Sequence, residues 1–350
     1  MPPIFPLRNL SSECDIAMSK AAESVDFSGT KPVPAWVREI IETHLAIEAE
    51  DAKTAGSLGF MARALVIATM PYKDPKADVF MRKNGDFSLR IVAGYEGGIP
   101  FGVYPRLLMS WVATEAVRKQ SPVIELGDSL RIFMREVLDL RSSGGGSRGS
   151  GSRVSEQMKR LFGSLITAKY SESSEKRGFV LKNVLIAQDL ELDDHEMARM
   201  DSLASDTEDP KLWTPQAAHE AGSWQSKVRL TDNFFNECIT KPVPIDLRAY
   251  KALRGSPLAM DVYTWLTYRL SYTTGRSKPI PWEALMWQFG SRYLTDRDQA
   301  VRDFKKAFLK ALKLVQIVYP EAVVSAESNG LVLLPSRPHI PAKISQGDLF

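Results

Sequence analysis

The chain is poor in the residues that build catalytic, metal and disulfide sites. It has two cysteines, Cys14 and Cys238, and four histidines in 350 residues. Two cysteines cannot form a disulfide framework, so a reducing compartment is the expectation. Zinc-type Cys/His spacing, a phosphate loop ending in Gly-Lys-Ser/Thr and the His-hydrophobic-His pair of nicking enzymes are all missing. The sequence therefore predicts neither an enzyme nor a bound metal or cofactor.

Long apolar runs are also missing. No stretch approaches the roughly 20 apolar residues that span a bilayer. The first ten residues contain early prolines and no apolar core resembling a signal peptide. We expect a cytoplasmic protein that contacts no membrane.

The net charge of +3 hides an uneven distribution of charged residues. Residues 189–220 hold ten acidic and two basic residues, whereas residues 245–345 hold fifteen basic and eight acidic residues. A basic carboxy-terminal third is typical of proteins that bind nucleic acid. The sequence indicates no role for the acidic connection.

The strongest single signal is an amphipathic helix between Arg297 and Val315. Apolar and basic residues both recur there at steps of three and four, which places them on opposite faces. The apolar face comprises Val301, Phe304, Phe308, Leu312 and Val315. The basic face comprises Arg302, Lys306, Lys310 and Lys313, with Arg297 near the helix start. Many basic faces are only solvated, so the helix alone leaves solvent and DNA as equal alternatives.

The order of elements around this helix occurs twice along the chain. The later copy has helix 247–272 broken at 255–257, an extended piece at 278–281, helix 282–289, the basic helix, and strands at 322–325 and 331–334. The earlier copy has helix 104–119, strand 122–126, helices 128–138 and 153–169, and strands at 179–186 and 224–230. Helix, strand, helix, helix, strand, strand is the order of a winged-helix domain. The sequence therefore predicts an α+β, mainly helical fold with two tandem winged-helix domains.

The same pattern suggests four regions along the chain. We expect a flexible amino-terminal tail with one amphipathic helix at residues 1–56 and a first winged-helix domain at 57–231. A second winged-helix domain is expected at 232–340, followed by a carboxy-terminal tail at 341–350.

The third helix of a winged-helix domain enters the major groove of DNA. In the earlier copy, the residues predicted to contact DNA lie away from the apolar stripe and are Arg148, Arg153, Gln157, Arg160 and Ser164. Glutamine and arginine can pair bidentately with adenine or guanine, whereas the lysines of the later copy suit phosphates. A solvated face is the alternative for Arg160. The tryptophans at positions 111, 265, 282 and 287 are predicted to face inward.

Two polar segments invite other interpretations. The glycine-rich segment 143–149 resembles a nucleotide loop but lacks its terminal lysine, so a connector is favoured. The acidic run Asp193-Asp194-His195-Glu196 could bind a cation, but a solvated loop is favoured.

Several long blocks between residues 58 and 339 resemble the RepA-type plasmid replication initiators of bacteria. They include Gly98-Ile99-Pro100-Phe101-Gly102, Gln157-Met158-Lys159-Arg160-Leu161-Phe162, Pro242-Val243-Pro244-Ile245-Asp246-Leu247 and Phe304-Lys305-Lys306-Ala307-Phe308. The resemblance implies an initiator with two winged-helix domains that binds repeated duplex sites at the plasmid origin. It also implies recruitment of host replication proteins, such as the helicase and the host initiator, and in many members a homodimer that represses its own promoter.

The last five residues are similar to the pentapeptide by which bacterial proteins bind the sliding clamp. Gln346, Asp348, Leu349 and Phe350 match that pattern, and Gly347 departs from the commoner leucine. The resemblance implies the sliding clamp as a partner. A transcriptional regulator without a replication role is the alternative function, and it has no use for such a tail.

Deleting residues 346–350 tests this tail. We expect the truncated protein to lose binding to the sliding clamp, because the apolar Leu349-Phe350 pair would dock into a groove of the partner. Surface plasmon resonance on immobilised clamp measures the loss, with DNA binding of the same variant as the control. Equal clamp binding by the full-length and truncated chains contradicts the assignment.

Overall fold

The computed structural model describes residues 35–67, 69–84, 87–126, 132–140, 149–170, 184–191, 227–240, 242–290 and 297–340. The chain divides after Glu39 into two compact parts. All elements except the start of the first helix belong to the second part.

The elements of the amino-terminal two thirds alternate between helices and short strands. In chain order they are α1 (Ala35–Ala49), β1 (Leu58–Met61), α2 (Arg63–Ile67), β2 (Val79–Asn84), β3 (Phe87–Val92), α3 (Val103–Lys119), β4 (Val123–Glu125), a π-helical turn (Phe133–Val137), α4 (Ser150–Phe162), β5 (Leu165–Tyr170), β6 (Val184–Leu185), β7 (Ala187–Glu191), β8 (Lys227–Leu230) and α5 (Asp232–Thr240).

The remaining elements form the carboxy-terminal third. They are β9 (Val243–Asp246), α6 (Leu247–Ala252), a 3-10 turn (Leu253–Gly255), α7 (Pro257–Leu270), β10 (Ile280–Pro281), α8 (Trp282–Phe289), α9 (Arg297–Val318), β11 (Val324–Ala326) and β12 (Gly330–Leu333). The break before α7 follows from sequence, because Ser256 caps its N-terminus and Pro257 occupies its first turn.

Two three-stranded antiparallel sheets have the same topology. One has the order β4-β8-β7 and the other has the order β10-β12-β11. In each, the strand that follows the first helix pairs with the last strand, and the middle strand in sequence lies at the edge. This is the sheet of a winged helix, so the predicted α+β fold with two tandem winged-helix units is confirmed. The first unit runs from α3 to β8 and the second from α7 to β12.

The first unit carries an insertion that the second lacks. Strands β5 and β6 follow its third helix, α4, and join β2 and β3 in a four-stranded sheet of order β2-β3-β5-β6. A single buried residue, Ile186, then separates β6 from β7, the first strand of the wing. The chain therefore passes from one sheet to the other without a loop.

Two local predictions are wrong. The helix predicted over residues 153–169 begins earlier, at Ser150, and ends at Phe162, because residues 165–170 pair with β3 along their whole length. Trp287 does not face inward with the other three predicted tryptophans, since 53% of its surface is exposed.

The predicted domain boundaries stay predictions. Strand β1, near the start of the expected first domain, pairs antiparallel with β9 of the expected second domain over four residues. The backbone N–H of Phe60 in β1 also donates to the buried Thr114 hydroxyl on α3, at 2.9 Å. Segments from both sides of residue 231 thus share one sheet.

A buried ion pair joins the first helices of the two units. Arg106 of α3 donates from Nε and Nη2 to the two carboxylate oxygens of Asp261 on α7, at 2.8 and 2.7 Å. Its remaining N–H groups donate to the carbonyls of Met70, Pro71 and Gly102. All five guanidinium hydrogens therefore have acceptors, although only 1% of Arg106 is exposed.

The charges on this pair support each other. Burial lowers the pKa of Arg106, and the charge and hydrogen bonds of Asp261 more than offset that effect, so its pKa is raised overall. The Arg106 guanidinium therefore stays charged, and removing either partner leaves the other buried without its hydrogen-bond and charge partner.

Replacing Arg106 tests how far the two units depend on this pair. We expect Arg106→Ala to lower the free energy of unfolding by about 3–5 kcal/mol, because the Asp261 carboxylate stays buried without a partner. Urea denaturation followed by circular dichroism measures the loss. Arg135→Ala removes the exposed ion pair with Glu136 and should cost no more than about 1 kcal/mol. An Arg106 variant as stable as that control would refute the assigned role.

Candidate nucleic-acid interface

Helix α9 is held by aromatic packing on its inner face. Phe304, Phe308, Leu312 and Val315 are each at most 4% exposed, as their spacing predicts. The ring centroid of Phe308 lies 5.6 Å from that of Phe289 on α8 and 6.5 Å from that of Trp265 on α7. The three helices of the second unit therefore meet at this ring, which fixes the direction in which the outer face of α9 points.

The outer face of α9 is positively charged. Arg302, Lys306, Lys310 and Lys313 are all exposed, and we call these four residues the cationic face. At 1.5 Å per residue, they extend over roughly 16 Å of helix. Gln299 accepts hydrogen bonds from the Arg302 guanidinium, with its Oε1 3.0 Å from Nη2, and this holds the arginine near the start of the helix. The predicted arrangement of this helix is confirmed, and its contact with DNA stays a prediction.

The wing is anchored to the base of α9 through one carbonyl group. Lys305 Nζ and Trp282 Nε1 both donate to the carbonyl oxygen of Glu327, at 3.1 and 3.0 Å. The Lys305 ammonium also lies 4.6 Å from the centroid of the Trp282 ring, a cation–π contact. The side chain of Glu327 pairs with Arg276. These residues hold the β11–β12 turn beside the helix.

The sequence did not reveal this anchor. Lys305 lies beside the basic stripe rather than on it, and Trp282 was expected only in the core. The only trace in the sequence is the position of Lys305 one residue before Lys306, which puts it on a different side of the helix from the basic stripe. A charge count alone cannot separate a lysine that holds the wing from one that faces solvent.

The outer face of α4 in the first unit is covered. Gln157 is 5% exposed, and its Oε1 accepts from the backbone N–H of Phe101 at 2.9 Å. Ser164 is fully buried, and its hydroxyl donates to the carbonyl of Arg160 at 2.6 Å. The prediction that these two side chains face outward is wrong, because the chain at Phe101 covers Gln157, and Ser164 lies beyond the end of α4 with its hydroxyl turned back onto the helix. In this arrangement neither residue can reach a base edge.

The two arginines of α4 differ in exposure. Arg160 Nε donates to Glu156 at 2.8 Å, Nη1 lies 3.6 Å from Asp74, and the guanidinium stacks over the ring of Phe101 at 5.2 Å. Its charge is therefore largely neutralised inside the protein. Arg153 is exposed, with its guanidinium 5.9 Å from the centroid of the Tyr104 ring. Of the predicted contacts of the first unit in the described ranges, Arg153 alone is exposed.

Several predicted residues lie outside the described residues. They are Arg148, the side chain of Arg297, and the clamp-like tail Gln346, Asp348, Leu349 and Phe350. Most of the acidic connection 189–220 and the segment 143–148 lie outside as well. Their predicted roles stay predictions.

Among the described residues, no group of three or more His, Cys, Asp or Glu side chains is arranged to hold a metal ion. In the same ranges, none of the helices combines the length and the apolar composition needed to cross a membrane.

The topology and the exposed third helix of the second unit define a tandem winged-helix protein. A family model described as "Plasmid encoded RepA protein" matches residues 99–206 and 181–287, together more than half of the chain. The chain therefore belongs to the family of plasmid-encoded RepA proteins, which are plasmid replication initiators.

A solved structure of domains 2 and 3 of RctB is also similar to the chain, at 10% identity. The match covers 78% of this chain and 99% of that one, with a TM-score of 0.42, so the fold assignment rests on the sheet topology and the family. No curated protein matches the sequence significantly.

A substitution at Gly330 tests the packing of the wing, because the backbone of this residue passes close to strand β10. A Cβ at position 330 would overlap with the carbonyl group of Ile280, so Gly330→Ala must displace one strand from the other. We expect a loss of about 1–3 kcal/mol in the free energy of unfolding, measured by urea denaturation. Gly275→Ala is the matched control, since its Cβ would have no atom within 4 Å. Equal stability of the two variants would show that the strand contact is not as close as described.

Proposed function

We propose that this protein initiates plasmid replication by binding repeated duplex sites at the origin through the second winged-helix unit. The observation that carries the proposal is the cationic face of α9, exposed on a helix whose other side is locked into the core. A third helix of this kind enters the major groove, which is about 12 Å wide and admits an α-helix.

The residues of the cationic face suit different parts of the duplex. Lys306, Lys310 and Lys313 carry point charges that can follow phosphates along one strand. Arg302 has a planar guanidinium near the helix start, where side chains of a third helix reach base edges, and arginine pairs bidentately with guanine. Arg302 is therefore the proposed base reader of this helix, and the lysines provide affinity.

The first unit contributes less to duplex binding in this proposal. Arg153 is its exposed candidate, and Arg148 is a further candidate of the same unit. Arg297, the first residue of α9, is a further candidate of the second unit. The anchored wing of the second unit approaches the backbone beside the groove, as wings do when a third helix is inserted. We expect no catalytic step from the protein itself.

The proposal extends to partners of the complex at the origin. The family membership supports recruitment of host replication proteins, with the helicase, the host initiator and the sliding clamp as candidates. Binding to the clamp would use the tail 346–350, and a homodimer is a candidate for the form that represses the promoter. These events take place in the cytoplasm, where a plasmid is replicated.

A footprint of the purified protein over its own gene and flanking DNA tests the proposal. We expect protection of evenly spaced direct repeats, about one or two helical turns apart. The double variant Lys306→Ala with Lys310→Ala should bind more weakly, and its log–log salt slope should fall by about 0.9 for each lost phosphate contact.

The matched control is Arg118→Ala with Lys119→Ala, which removes the same charge from the end of α3, where both residues pair with Glu115. Protection of a single promoter palindrome would instead favour a transcriptional regulator. Wild-type binding by the Lys306 and Lys310 variant would refute the role of the cationic face.

A further inference from the structure

A cleft of about 800 Å³ opens between α4 of the first unit and the start of α7 in the second. Its wall includes Tyr72, Lys73, Phe101, Tyr104, Arg153 and Arg254. Duplex recognition by the cationic face does not use this cleft. Its volume falls in the range of about 300–1,000 Å³ that is typical of sites for small ligands.

Two basic side chains at the cleft have no counter-charge within the part of the chain that the structure describes. Lys73 and Arg153 are both exposed, and neither forms an ion pair with a described residue. In contrast, Arg160 is paired with Glu156 and Asp74, and Arg254 is paired with Asp139 at 2.9 Å. The cleft therefore presents two free positive charges to a ligand, next to arginines whose charge is already balanced.

The same wall carries two aromatic rings, each with an arginine guanidinium over it. The Arg153 guanidinium lies over Tyr104, and the Arg160 guanidinium lies over Phe101 at 5.2 Å. Tyr104 and Phe101 are both partly exposed. Planar bases stack on aromatic rings and on guanidinium planes, while neighbouring basic groups hold phosphates. Free cations beside partly exposed rings are the combination that recognises one nucleotide.

The walls of the cleft exclude a duplex. Gln157 and the chain at Phe101 close the outer face of α4, so the helix cannot lie in a groove here. One unpaired nucleotide, with its base against Tyr104 and its phosphate near Arg153 and Lys73, needs only a site of this size. The shape of the cleft therefore disfavours duplex DNA, the ligand proposed for the cationic face.

We propose that this cleft binds a single nucleotide unit, a base with its phosphate, presented either by single-stranded DNA or as a free nucleotide. Tyr104 stacks on the base, and Lys73 and Arg153 contact the phosphate. The protein then has two separate nucleic-acid sites, one for duplex DNA on the second unit and one for an unpaired nucleotide on the first.

The test measures two probes on the full chain by fluorescence anisotropy. One is a fluorescein-labelled oligo-dT of about 10 nucleotides, and the other is ATP labelled on its ribose. We expect Lys73→Ala with Arg153→Ala to weaken binding of the recognised probe by about tenfold, since both phosphate contacts are lost. Tyr104→Leu should weaken it to a similar degree by removing the stacking surface. Arg118→Ala with Lys119→Ala again controls for the loss of charge.

The outcomes separate the sources and the two sites. If the cleft variants weaken binding of oligo-dT alone, the ligand is a single strand. If they weaken binding of labelled ATP, the ligand is a free nucleotide. Either result supports the cleft, provided that Tyr104→Leu, which alters no proposed duplex contact, binds the duplex repeat as the wild type does. Absence of binding of both probes overturns the proposal. So does oligo-dT binding that is lost in the Lys306 and Lys310 variant but kept in the Lys73 and Arg153 variant, because the strand would then occupy the cationic face. Failure of duplex binding alone would refute the proposed function and leave the cleft intact.

Discussion

The buried pair of Arg106 and Asp261 constrains the arrangement of the two winged-helix units. It connects the first helices of two winged-helix units and, through three carbonyl groups, the chain segments at residues 70–71 and 102. Around it, Arg82 of β2 donates to the carbonyl of Gly290, just after α8. The two units are therefore held together by direct contacts and not only by a connecting segment. Their relative orientation is set by polar contacts that tolerate little displacement, because a buried charge that loses its partner is costly.

This constraint explains why two copies of one topology present different surfaces. In the second unit, α9 has its apolar side in the core and its basic side in solvent. In the first unit, the chain around Phe101 packs over α4, and that chain is held in turn by the Arg106 contact at Gly102. The third helix of the first unit thus forms the wall of a cleft. One topology accordingly provides an exposed basic helix in the second unit and a covered third helix, which forms a cleft wall, in the first.

The second unit was largely predictable from sequence, and the first was not, for physical reasons. The spacing of Phe304, Phe308 and Leu312 determines which side of α9 is buried, so its basic side must face outward. On α4, Gln157 and Arg160 also lie opposite an apolar stripe, but a segment about 56 residues earlier in the chain covers them. Helical periodicity predicts which face of a helix packs against the core, but it does not predict whether another segment of the chain covers the opposite face. For the same reason, the residues near position 165 continue a helical pattern in sequence although their pairing with β3 makes them a strand.

Ile186 couples the two sheets of the first unit. Because one buried residue separates β6 from β7, the chain has no slack between its pairing with β5 and its pairing with β8. Side chains alternate between the two faces of a strand. A register shift of one residue in either sheet would therefore exchange the buried and exposed side chains of the strand in the other sheet. An insertion or deletion next to Ile186 would therefore disturb the strand pairing of both sheets. Ile186 therefore fixes the spacing between the two sheets. Residues can be added to the inserted strands only at the ends that lie away from Ile186.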